Sequence, residues 1–304
     1  MKSLINKFTG FFSAAFLCVI IPLLIYYSLD LFENIDFNEL MKLNINIIPA
    51  LISIGLFTFS LYFKGLVFSR ELAEDISALR AFRIMCVGET VNMIVPFKLG
   101  EGIKKRMLPE KYGFLQKTVI TTVPKLFDIL ALIIFSLLSL VFYSSIEEEI
   151  GIDFLLYIGI ILGVIIFAIM ALRLFPSLNK KIKEFIEDDI AGVLIFMSMS
   201  WILIYFSIAC ALLALNLPFI AAFKGALGVI VATNISMLIP GTPGGIGYFE
   251  FMTAVALSNL IENKTYLLAA ALFIHLIQYV AVLPAGLFMF LFGKRFKKYA
   301  CKTC

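Results

Sequence analysis

Histidine occurs once and tryptophan once in these 304 residues. A lone histidine cannot build a metal centre, and the sequence offers no cluster of ligands around it. Charge is scarce as well: Asp, Glu, Lys and Arg make up 15% of the chain, against roughly a quarter in soluble domains. The longest mostly polar piece, Lys64 to Arg83, is far too short for a soluble domain, so any activity lies within the membrane or at its surface. There is no G-x-x-x-x-G-K-[ST], no H-E-x-x-H and no G-x-S-x-G, which excludes a built-in nucleotide-driven pump and gives no sign of hydrolase machinery. The five cysteines are scattered. Cys18, Cys86 and Cys210 sit in apolar stretches as small hydrophobes, and the Cys301/Cys304 pair lacks the further ligands a zinc site needs. No metal or cofactor is expected.

What the sequence has in abundance is apolar length. Hydrophobic residues make up 62% of the chain, and the mean hydropathy is +1.02. Six stretches have the roughly 20 apolar residues a crossing helix needs: 11–29, 45–63, 118–142, 154–172, 191–215 and 265–292. Met1 to Leu29 reads as an uncleaved first span, since no small-residue cleavage site follows its apolar run. Two further regions, 72–111 and 223–261, are apolar but interrupted by Pro and Gly.

Charge orients these segments. Lys2 and Lys7, the stretches 98–117 and 173–183, and the tail 293–304 are basic, whereas 30–40 and 147–153 are acidic. The positive-inside rule places both termini in the cytoplasm, as expected of a multi-pass plasma-membrane protein. The net charge of +4 then reports cytoplasmic loops rather than nucleic-acid binding. On this path the region 72–111 enters and leaves on the cytoplasmic side, and 223–261 on the outer side. The expected fold is an all-α polytopic membrane protein forming a single membrane domain over 1–304. About six spanning helices accompany two re-entrant broken helical hairpins in inverted-topology repeats. The first repeat covers about 45–142 with a break near 95–101, and the second about 191–292 with a break near 240–247. Both breaks carry Asn, Pro, Gly and Glu in that order, at different spacings.

The breaks concentrate the candidate chemistry. Pro243-Gly244-Gly245-Ile246-Gly247 cannot remain helical, and a new half-helix beginning near Gly245 would offer free N–H groups to an anion such as a lipid phosphate; a tight hairpin with no ligand is the alternative. Glu101 and Glu250 follow the two breaks, and a carboxylate at such depth needs a partner, a proton or water. Glu250 is expected near Glu101, facing Lys125 or Asp128. Lys98, Lys104, Lys105 and Arg106 are partners available to Glu101; Lys125 and Asp128 lie three apart on one helix face, as an ion pair or a cavity lining. His275 lies in the last apolar stretch, either as a satisfied core residue or as a titrating or phosphate-contacting group. Asn92 and Asn234 complete the set.

Three pieces carry a resemblance to a known family: Asn92…Pro96…Gly100-Glu101…Arg106, then Lys125…Asp128, then Pro243-Gly244-Gly245-Ile246-Gly247-Tyr248-Phe249-Glu250. In these the chain resembles the membrane region of lysylphosphatidylglycerol synthases, which also occurs as stand-alone flippase-like proteins. The resemblance implies non-enzymatic movement of a polar-headed lipid between leaflets: an anionic or aminoacylated phospholipid, or a polyprenyl-linked carrier. It also implies a separate lipid-modifying enzyme as a partner. The soluble transferase domain of the synthases is not found in the sequence, and His275 stands where the resemblance leads one to expect Arg. An enzyme acting on a lipid headgroup is the competing reading, as is a non-transporting partner of a synthase.

Overall fold

A computed structural model describes residues 44–71, 76–144, 176–238 and 242–292, and all regular structure among them is helical. The stretches 11–29 and 154–172, the acidic loops and the basic tail lie outside the described residues. Eight helices follow in order: α1 (Ile47–Leu66), α2 (Ala78–Ile94), α3 (Gly100–Met107), α4 (Phe114–Ser144), α5 (Pro176–Ala214), α6 (Phe219–Leu238), α7 (Tyr248–Leu257) and α8 (Lys264–Phe292). Four segments are long and apolar enough to cross a membrane: Ile47–Ser69, Phe114–Ser139, Ala191–Ala214 and Lys264–Phe292. The chain is thus a multi-pass, all-helical membrane protein. The last segment is 61% buried within the described protein and the others 39%, so α8 is the most enclosed.

The order long helix, helix, 3₁₀ turn, short helix, long helix occurs twice, with turns at Pro96–Lys98 and Pro243–Gly245. The packing follows the same scheme: α2 lies against α8 and α6 against α4, while the two turns touch each other. The turns share their backbone geometry. After Pro96, Phe97 and Lys98 have φ of +61° and +53°; after Pro243, Gly244 and Gly245 have +61° and +80°. Pro243, not Pro240, is therefore the counterpart of Pro96. The second half-helix starts at Tyr248, three residues beyond the expected Gly245.

The two halves meet along α1 and α5, the most extensive helix pair in the fold. Asn46 donates its backbone N–H to Ala214 O at 2.8 Å. Ser53 Oγ donates to Ser207 O at 2.7 Å, Ser207 Oγ returns the bond to Ser53 O at 2.8 Å, and Ser200 Oγ donates to Ser60 O at 3.1 Å. The rungs fall every seven residues, rising on α1 and falling on α5, so the helices are antiparallel and in fixed register. Seven residues are two helical turns, which keeps the rungs on one face. All four serines are buried, and small side chains let two backbones approach where apolar lipid offers no hydrophobic drive. A second close crossing joins α2 to α8. A Cβ on Gly286 would lie 1.8 Å from Thr90 Oγ1, and Thr90 Oγ1 donates to Val282 O at 3.1 Å.

Ser53→Ala with Ser207→Ala should remove two reciprocal bonds at roughly 0.6 to 1.7 kcal/mol each. Ser53→Leu should cost more, because bulk at this rung forces the backbones apart. Reversible unfolding in mixed micelles measures both; equal stability of Ser53→Leu and wild type would show that close approach contributes nothing.

Candidate functional site

A cavity of about 180 Å³ with charged groups in its lining lies where the two turns meet, walled by both of them together with α1 to α6 and α8. Its ionised groups form a chain. Lys104 is buried between Glu89, at 2.5 Å from Oε1, and Glu101, at 2.9 Å. Lys125 links Glu101 at 3.3 Å to Asp128 at 3.6 Å, and Lys64 closes the series on Asp128 at 3.1 Å. The Lys64 ammonium also lies 4.8 Å from the Trp201 ring centroid, a cation–π contact.

Local sequence makes this chain possible. Lys104 reaches its partners by crossing α2 at Gly88, where a Cβ would sit 2.4 Å from the lysine stem. Gly100 packs so closely that a Cβ would fall 2.0 Å from Gly88 O. The Asn92 amide donates to Glu89 at 3.2 Å and to Glu101 at 3.4 Å, which steadies both carboxylates.

Lys98 also lines the cavity and has no carboxylate partner among the described residues. The lining charges balance, Lys64, Lys98 and Lys125 against Glu89, Glu101 and Asp128, and the buried Lys104 behind them adds one positive charge. Two buried polar atoms on lining residues lack a hydrogen-bond partner among the described residues: Asn92 Oδ1, which packs against Gly100, and Trp201 Nε1–H. The cavity thus holds one lysine, Lys98, without an ion-pair partner beside a set of paired charges, an arrangement suited to a polar anion.

Glu250 takes a different position from the one the sequence led us to expect. It lies apart from Lys125 and Asp128 and pairs with His275, Nδ1 to Oε1 at 2.5 Å. Its other oxygen accepts from Gly247 N at 2.7 Å, so the first turn of α7 caps itself. His275 Nε2 lies 3.1 Å from Gly244 O. Gly244 admits only glycine on two grounds: its φ is positive, and a Cβ would stand 2.1 Å from Tyr279 Oη.

Of the other predicted residues, Gly245 and Asn234 line the cavity, and the Asn234 amide donates to Ile230 O at 2.8 Å. Gly247 sits at the start of α7, and Arg106 is exposed in the last turn of α3, away from the cavity. Of the basic residues available to Glu101, Lys104 is the one that pairs with it most closely, at 2.9 Å, and it also holds Glu89; sequence reasoning missed Glu89, Lys64 and Trp201. Glu89 had a signal: it precedes Asn92 by three residues, on the same helix face, as the one acid in an otherwise uncharged run from Ile84 to Phe97.

Trp201 also borders a second, apolar groove of about 690 Å³ between α4, α5 and α6, lined by Phe127, Ile134, Phe135 and Phe223 among others. One indole thus separates a polar chamber from an apolar one.

The family model described as "Lysylphosphatidylglycerol synthase TM region" matches residues 11–286, and the chain belongs to that family. The match places it among membrane proteins related to lipid synthesis or transport. No curated protein and no solved structure matches it.

Lys104→Met should leave Glu89 and Glu101 facing one another without their shared cation and cost about 3 kcal/mol, as for other broken buried pairs. Adding Glu89→Gln should return part of that loss, and a double-mutant cycle on unfolding free energies measures the coupling. Lys98→Gly should behave oppositely. It removes an unpaired charge and a side chain held at positive φ, so stability should be unchanged or higher by up to about 1 kcal/mol. A fall of the melting temperature in Lys98→Gly would reveal a structural partner for this lysine.

Proposed function

We propose that this chain moves a phosphate-bearing lipid between the leaflets, with the headgroup passing through the polar cavity and an acyl chain in the apolar groove. The observation that carries the reading is the shared wall at Trp201, which sets a charged chamber with an unpaired lysine, Lys98, beside an apolar channel. An amphiphile needs both at once. Lys98 and Lys125 meet the phosphate, with the Trp201 indole beside the headgroup. The carboxylates alongside would accept a primary amine, so an aminoacylated phospholipid fits as well as a simple anionic one.

The architecture supports transport in the same way. In the proposed membrane arrangement the two halves are inverted repeats, and six helices span. The two turns enter from opposite faces and meet at mid-depth, with both termini cytoplasmic in the plasma membrane. The antiparallel pairing of α1 with α5 supports this arrangement, because the two helices open equivalent halves in opposite directions. Irregular backbone at membrane depth is tolerated where it lines a polar cavity, as both turns do here. The function assigned to the cavity is passage without a bond-making step. A separate enzyme would supply the lipid.

Reconstitution with a fluorescent phosphatidylglycerol, its lysyl ester and an uncharged glycolipid tests the reading by dithionite quenching of the outer leaflet. The anionic or aminoacylated probe should cross faster than in protein-free vesicles. Lys98→Gly combined with Lys125→Gln should slow that crossing at least about tenfold, the effect of losing roughly 1.4 kcal/mol of headgroup binding. Brominated acyl chains should quench Trp201, the single tryptophan. Rates equal to empty vesicles for every probe, with no quenching, would overturn the proposal.

A further inference from the structure

We infer that Glu250 and His275 form a proton-binding site whose occupancy fastens the second turn to α8. The inference follows from counting hydrogens. Gly244 O is a carbonyl and only accepts, so His275 Nε2, 3.1 Å away, carries a hydrogen. Glu250 Oε2 is occupied by the Gly247 N–H at 2.7 Å. That leaves Nδ1 and Glu250 Oε1 at 2.5 Å, where a bare nitrogen and a bare carboxylate oxygen would repel. One proton therefore lies between them, formally on the imidazole or on the carboxyl group.

Loss of that proton leaves a neutral imidazole with a single N–H and two acceptors to serve. If Nε2 keeps the hydrogen, Glu250 loses its link to α8. If Nδ1 takes it, the Gly244 carbonyl is released. No tautomer holds both, so deprotonation must free either the turn or the start of α7. Rebinding a proton restores both contacts.

The surroundings suit such a site. The ring is 3% exposed, stacked on Phe249 at 4.1 Å and flanked by Tyr279 at 4.8 Å. The Glu250 side chain is 12% exposed, which leaves a path for the proton. The titratable and charged groups facing the pair are few. On α8 there is Tyr279, whose hydroxyl donates to Met93 O at 3.4 Å, and on α7 there is Tyr248. Glu89 on α2 and Lys98 on the first turn lie across the cavity where the turns meet. On α6, Asn234 stands at the near end, with Lys224 in the apolar groove toward the other end.

The link to transport rests on the lipid-moving function proposed above: a proton that fastens and frees one wall of the cavity would couple passage to a pH difference. The site itself does not depend on that reading, and the test separates them. Histidine labelled with ¹⁵N in lipid nanodiscs gives one ring system, because the chain has one histidine. A nitroxide on Ile246→Cys, with the five native cysteines replaced, reports motion of the turn. As the pH is raised until the pair gives up its proton, the wild type should pass from an immobile to a mobile nitroxide, and the ring-nitrogen signals should change with it. Glu250→Gln should abolish the pH response, because its amide donates to a bare Nδ1 as readily as its carbonyl accepts from a protonated one. His275→Arg, with permanent donors on both sides, should also hold the turn at every pH and covers the case in which Glu250→Gln does not fold. A nitroxide unchanged while the ring-nitrogen signals change, or ring-nitrogen signals unchanged over the whole range, would overturn the inference. Intact titration and motion with no lipid transport would instead overturn the proposed function alone.

Discussion

The chain of ion pairs from Glu89 through Lys104, Glu101, Lys125 and Asp128 to Lys64 decides where everything else in the first half can stand. Each of these groups is costly to bury alone. Each neighbour along the chain offsets part of that cost, so α1, α2, α3 and α4 are held in one arrangement by their charged side chains. The glycines at 88 and 100 follow from this requirement, since without them Lys104 could not reach under α2 and α3 could not close on it. The cavity is the space left beside a charge network that must stay assembled.

The two halves repeat their backbone but not their chemistry. The first turn carries Phe97 and Lys98 at positive φ, where side chains are strained; the second carries Gly244 and Gly245, where they are absent. Around the first turn stand lysines and carboxylates in permanent pairs. Around the second stands one pair, Glu250 with His275, which keeps its hold on Gly244 as well only while it shares a proton. A common frame thus supports a fixed electrostatic wall on one side and a changeable one on the other.

Helical class, the apolar segments and the two Pro/Gly breaks were legible in the sequence because length and hydrophobicity are local properties. So was the nearness of Lys125 to Asp128, which follows from a three-residue spacing on a helix. The pairing of Glu250 with His275, 25 residues apart, was not legible, because it depends on how α7 folds back against α8. Lys104 was one of four basic residues available to Glu101 in its stretch; only the passage over Gly88 makes it the buried one. The serine rungs between α1 and α5 were hidden for a related reason: a serine in an apolar run shows no sign of its partner 154 residues away.

Those rungs limit how the two halves can move. Three contacts at seven-residue intervals, all between backbone carbonyls and short side chains or amides, cannot stretch. Sliding α1 along α5 by one turn, about 5.4 Å, would break all of them and set serines against methyl groups. Tilting about the line of contact leaves every rung nearly intact. The α1/α5 seam therefore behaves as a hinge pin, selecting rocking over an elevator-like displacement for any exchange of access between the two faces.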